Sequence, residues 1–189
     1  GGLPLTPPKV QPTVTPKPII TPKIRQAREA FIQNRYPEAI ALLREELMKE
    51  EAKTKINGLQ ISLLQKSLGD TFQKTEQYNP ALEYYQKSLA IILKQLGSDH
   101  IHVAASYHNI GQVHNAKGEY DKALEYYQKS LAIKLKKLGP DHPDVALSYN
   151  NIGAAYDNKG EYDQALEYFQ KSLAIRLKQL GPNHSDVAN

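Results

Sequence analysis

The sequence predicts an all-α solenoid of antiparallel helix pairs preceded by an extended proline-rich leader. Three observations carry this prediction. From about residue 22 the chain repeats itself every 42 residues. Each period divides into two stretches whose apolar residues recur at helical spacing. Seven of the twelve prolines fall within residues 1–22. A period of that length means a stacked array, because one short helix pair cannot bury its apolar face alone.

In the leader, Pro4, Pro7, Pro8, Pro12, Pro16, Pro18 and Pro22 are separated by Val, Ile, Thr and Lys without any strand or helix period. Proline removes amide donors and holds φ near about −65°, so this segment is expected to be extended and solvated. A spacer is the preferred reading. A PxxP ligand for an aromatic groove, as in Pro4-x-x-Pro7, is the alternative.

Charge follows the same division. The chain has 24 basic and 20 acidic side chains, a net +4. Lys9, Lys17, Lys23 and Arg25 lie in a stretch without any acid and account for the whole excess. The repeats are therefore neutral, and four dispersed cations are too few to hold a phosphate backbone, so nucleic acid is not expected as a partner. No apolar run of about 18 residues exists, which excludes a spanning helix and leaves no membrane role. No secretory signal is visible, although Gly1-Gly2 reads as a cloning remnant that could hide one. The absence of cysteine rules out disulfides, thiolate zinc sites and a cysteine nucleophile. It leaves the compartment open, with a cytoplasmic one preferred.

Residues 103–140 and 145–182 are identical at 27 of 38 aligned positions. The preceding unit keeps Tyr78, Ala81 to Leu89 and Leu96-Gly97, and a degenerate one survives as Ala27, Tyr36, Ala39 and Ile40. The expected units are 23–56 (degenerate), 57–98, 99–140 and 141–182, with 183–189 opening a further helix. In 141–182 the first helix has Pro143 near its start and presents Val145, Tyr149, Ile152, Gly153 and Tyr156. Lys159-Gly160 ends it, and Asp163 caps a second helix running to Leu180. Gly97, Gly139 and Gly181 are expected to leave helices through the left-handed region. Asn79-Pro80 reads as an N-cap followed by proline at the first helical position. Asn57, Asp99, Asp141 and Asn183 read as caps of the first helices, and His100, His142 and His184 as turn or cap residues.

Residue sizes set the packing. Gly69, Gly111 and Gly153 lie inside helices, where glycine costs about 1 kcal/mol against alanine. A cost repeated in every unit implies close approach of the partner helix, which supplies small Ala81, Ala123 and Ala165 and bulky Tyr85, Tyr127 and Phe169. Glu83–Lys87, Glu125–Lys129 and Glu167–Lys171 are i,i+4 pairs of about 0.2–0.5 kcal/mol each on a solvated face.

The order Tyr107, Asn109-Ile110-Gly111, Gly118, Tyr120, Ala123, Tyr127 resembles the tetratricopeptide repeat (TPR). LGPDHPDVA at 138–146 and YNNIG at 149–153 are similar to the 42-residue variant of kinesin light chains. The resemblance implies a right-handed superhelix that serves as a scaffold for protein partners, often within larger signalling proteins. The first unit departs from it, lacking an LGPDH-type joint.

No enzyme is expected, and neither catalytic residues nor a cofactor. No nucleotide-loop, dinucleotide, zincin or nucleophile-elbow motif occurs. His108 and His114, six apart, do not share a helix face well enough to chelate, so no metal site is expected. The concave groove remains. By the resemblance, its peptide-binding positions are Lys66, Ser67, Asp70 and Gln73, then His108, Asn109, Gln112 and Asn115, then Asn150, Asn151, Ala154, Asp157 and Asn158. Residues 108, 112 and 115 follow i, i+4, i+7 along one face.

Asparagine is a mediocre helix former, so Asn109, Asn150 and Asn151 ask for a reason. A side-chain amide pairs with a peptide bond whatever side chain the ligand carries. Keeping the groove wet, or bonding a neighbouring helix, is the alternative; the ligand role is preferred. Lys66 and Lys74 are the evident cations and Asp70 and Asp157 offset them, so an uncharged or mixed-polarity peptide or a partner helix is expected. Ser185 to Asn189 match the opening of another first helix, which suggests self-association or helix exchange between chains as the runner-up. A regulatory arm of a larger enzyme is the third reading.

Overall fold

The structure, a computed structural model, describes residues 17–53 and 57–180. Among these residues there are eight α-helices and no strand. They are α1 (Pro22–Ile32), α2 (Tyr36–Glu51), α3 (Gly58–Lys74), α4 (Tyr78–Leu96), α5 (Ile101–Ala116), α6 (Tyr120–Leu138), α7 (Pro143–Lys159) and α8 (Tyr162–Leu180). Each helix packs mainly against its neighbours in the chain, as a one-dimensional stack requires. We refer to α3–α4, α5–α6 and α7–α8 as units one, two and three.

Within a unit the two helices meet at the internal glycine. A Cβ on Gly69 would lie 2.6 Å from the Tyr85 ring, on Gly111 2.7 Å from Tyr127, and on Gly153 2.8 Å from Phe169. No other residue fits, so the helix-propensity cost of glycine is offset by an aromatic ring laid flat on the first helix. The ring is core: Tyr85 and Tyr127 are buried with Leu64, Leu68, Ile110 and Val113. A serine one turn further along the second helix adds a tie between helices. Ser88 Oγ donates to the Ser62 carbonyl and Ser130 Oγ to the Ala104 carbonyl, both at 2.8 Å.

The helix ends correct several expectations. Asn57 caps α3 by accepting from the Gln60 N–H. In the next two units the cap is the histidine: Nδ1 of His100 accepts from His102 N–H and Nδ1 of His142 from Asp144 N–H. Asp99 and Asp141 do not cap; they pair with Lys136 and Lys178 at the far end of the same unit. A carboxylate one residue before the cap is too far back to reach the first free N–H groups. Asn79-Pro80 and Asp163 fall inside the first turn, because α4 and α8 begin at Tyr78 and Tyr162. Proline is tolerated there since that N–H has no helical partner. Gly97 and Gly139 have positive φ (81° and 86°) but ψ of 164° and 163°, the extended glycine-only region rather than the left-handed helical one. Gly181, Asn183 and His184, and Pro4 to Pro16, lie outside the described residues.

The Glu–Lys pairs form as expected, but they are not only surface charge. Lys87, Lys129 and Lys171 also sit over the rings of Tyr84, Tyr126 and Tyr168, at 5.5, 5.2 and 4.8 Å. Those rings stack on Phe72, His114 and Tyr156 respectively. Each lysine thus closes an aromatic pair that ties the two helices of its unit.

Candidate functional site

The expected groove positions lie on the first helices α3, α5 and α7, and the second helix α4 contributes Tyr85 and Ile92 to cavities between α3 and α5. Between α3 and α5 lies a cavity of about 460 Å³ whose wall includes Asp70, Gln73, Asn109 and Gln112, with Tyr85 from the floor. Residues 36 to 42 apart in sequence are brought together here because α5 repeats α3 one step along the stack.

The unit-one wall is internally satisfied. Lys66 Nζ donates to Asp70 Oδ2 at 2.7 Å. The Tyr85 hydroxyl lies 2.8 Å from both Asp70 Oδ1 and Gln73 Oε1, and its single proton goes to one acceptor at a time. Burial first, then the Asp70 carboxylate, pushes the Tyr85 phenol far above its ordinary pKa. It is therefore a fixed neutral donor, and Lys66 and Asp70 cancel. Facing them, Asn109 and Gln112 are half-buried and make no side-chain hydrogen bond among the described residues. Asn115 and Asn158 instead bond one another, Nδ2 of Asn158 donating to Oδ1 of Asn115 at 3.4 Å.

Further along, Asn150 and Asn151 are half-buried, while Asp157 and Asn158 are exposed. His108 turns inward: its ring lies 5.6 Å from Tyr127 and its buried Nδ1 has no partner. Burial, reinforced by the nearby Lys134 ammonium, pulls its pKa down to about 4. At neutral pH it is an uncharged ring against the floor.

The tetratricopeptide repeat model matches residues 60–136, 103–178 and 144–189, most of the chain. The chain belongs to the tetratricopeptide repeat family. No curated protein sequence matches it. Among solved structures, a kinesin light chain-like protein of Podosopora anserina with nearly identical TPR-like repeats is 27% identical. The match covers 89% of this chain and 80% of that one, with a TM-score of 0.76. BtubC (BKLC) from P. vanneervenii is 21% identical, covering 86% of this chain and 65% of that one, with a TM-score of 0.76. The apo form of RapI is 21% identical, covering 87% and 57%, with a TM-score of 0.71. The last two share the fold. TPR proteins are typically scaffolds for protein–protein interaction and generally non-catalytic.

Two residues of this TPR protein were not among the expected site positions. Lys134, on α6, is 7% exposed and donates to Ser148 Oγ on α7 at 2.9 Å; burial lowers its pKa. The signal was available, since the repeat places Ile92, Lys134 and Arg176 at one position, an apolar site that turns basic. Gln60, only 2% exposed, accepts from the Ile19 N–H at 2.6 Å and donates to the Ile19 carbonyl at 2.9 Å. Nothing in the repeat announced it.

Proposed function

We propose that the TPR groove binds an extended peptide segment of uncharged or mixed polarity, read mainly through its backbone. The observation that carries this is the α3–α5 cavity, where the unpartnered amides of Asn109 and Gln112 share the wall with Gln73, the Tyr85 hydroxyl, the oppositely charged Lys74 and Glu76, and an Asp70 that Lys66 pairs. Amides offer both donors and an acceptor to a peptide bond. Packed helices are roughly 8–10 Å apart and an extended chain advances about 3.3 Å per residue, so Asn109 and Asn151 would hold about every third ligand residue. His108, Asn115, Asn150, Asp157 and Asn158 continue the wall toward α7. Most of the affinity then comes from backbone pairing, which favours moderate binding.

Affinity capture from the source lysate tests it, comparing the wild type with Asn109→Ala/Asn151→Ala of unchanged helicity. A protein retained by the wild type alone supports the groove; the same set retained by both moves binding to another face.

A second reading is carried by α8. Leu166 and Leu173 are 58% and 39% exposed, whereas Leu124 and Leu131, their equivalents on α6, are covered at 6% and 9%. That apolar face fits another helix pair, and concentration-dependent mass in light scattering is its measurement.

A further inference from the structure

A second cavity of the groove, about 270 Å³, opens between α3 and α5 above α4. Leu59 and Leu63 from α3, Ile92 from the floor and Ala105 from α5 form the aliphatic part of its wall, polar side chains of α3, α4 and α5 complete it, and its rim includes Pro18. Pro18 belongs to neither helix. It reaches the rim because the next residue, Ile19, is gripped through both its N–H and its carbonyl by the Gln60 amide. Gln60 thus does at one position what the groove asparagines are proposed to do at others, pairing an extended backbone without regard to its side chain.

We propose that this cavity is a docking site for the chain's own proline-rich segment, Pro12 to Pro18, anchored at Ile19 by Gln60. The occupant's chemistry matches the wall. Pro12, Val14, Pro16 and Pro18 offer apolar side chains of the kind the aliphatic part of the wall would cover. Prolines also bring no N–H groups that an apolar pocket would leave unpaired. Continuity settles the source: the segment needs no separate encounter, because Ile19 already holds its end at the rim. A tether this short presents its ligand at an effective concentration on the order of millimolar, so a weak contact suffices. The consequence is regulatory. A peptide entering the groove at Lys66, which lines this cavity as well, competes with the segment for space. The inference rests on the groove reading in that last consequence alone.

The test uses the full chain and a labelled synthetic peptide, PTVTPKPIIT, matching residues 12–21. Binding in trans is measured for the wild type and for Pro16→Ser/Pro18→Ser/Ile19→Ser, substitutions that lie outside every helix. The expected result is at least about ten-fold tighter binding by the triple variant, since its own segment no longer competes. Adding Gln60→Ala to that variant should remove the gain. Equal binding by wild type and triple variant, or none by either, overturns the proposal. Hydrogen exchange at the Ile19 amide gives an independent reading: protection in the wild type and its loss in Gln60→Ala are expected, and equal exchange overturns the anchor. Neither readout needs a partner protein, so a groove that captures nothing leaves this result standing, and a free segment leaves capture standing.

Discussion

The α3–α5 and α5–α7 junctions are cut from one repeat and end in opposite chemistries. At the first, Ile92 closes the floor and the space above it is an aliphatic cavity with Pro18 on its rim. At the second, the residue one period later is Lys134, whose ammonium is buried against Ser148, where Asp144 favours its charge and it in turn disfavours a charge on His108. The backbone scaffold is shared: the Ser88 and Ser130 ties and the Gly69 and Gly111 contacts coincide. The floor position changes from Ile92 to Lys134, and the first-helix positions beside it change too, His102 to Asp144 and Lys66 to His108. A solenoid tolerates this because each junction touches only its neighbours.

Moving the charge breaks the comparison most directly. Ile92→Lys places an ammonium in the aliphatic junction, where His102 stands in the place of Asp144, and should cost about 3–5 kcal/mol. Urea denaturation reads it, and a loss below about 1 kcal/mol would show that this floor is wetter than described.

Acid comes next. His108 exists only at the second junction, and its folded pKa of about 4 lies below the ordinary 6.5. The unfolded chain thus binds the proton first. Stability is full above about pH 6.5 and falls as pH drops toward 4, by at most about 3 kcal/mol. Replacing His108 with Asn, the residue at position 150, should flatten the midpoint across that window. Glu119, held down at about 2 by Lys117 first, then by Lys122 and His114, loses its contribution only below about pH 4.5, so the two are separable.

Gly111→Ala sharpens what the junctions share. The new Cβ meets a buried Tyr127 ring at 2.7 Å, and overpacking outweighs the better helix propensity for a net loss of about 2 kcal/mol. Gly69→Ala should match it, since the Tyr85 contact is the same. Unequal losses would mean that the two units are not mechanically equivalent.

The smallest change has the opposite sign. Lys134→Ile removes a buried cation that has one neutral hydrogen-bond partner, and Ser148 Oγ keeps its bond to the Asp144 carbonyl. Thermal unfolding should rise by an amount equivalent to about 1 kcal/mol.

Much of this was legible in the residues because the repeat multiplies each signal. Glycine at 69, 111 and 153 pointed to close helix contact before any ring position was known. The histidines at 100 and 142 were readable as caps. The aspartates at 99 and 141 misled, because a cap and a lysine partner use the same side chain and differ only in where the helix starts. The groove was traced along first helices alone, so a floor residue such as Lys134 was missed even though it broke the apolar pattern.

The sequence by itself determined the helix pairs, their period and the neutral balance of the repeats, since each follows from local spacing and composition. Tertiary structure alone decided that the Tyr85 hydroxyl reaches Asp70 and Gln73 from the second helix. It also decided that Lys134 lies under α7, and that Gln60 holds Ile19 from 41 residues away. Those outcomes depend on distances between chain segments, which periodicity does not encode, and on burial, which sets how much each unpaired charge costs.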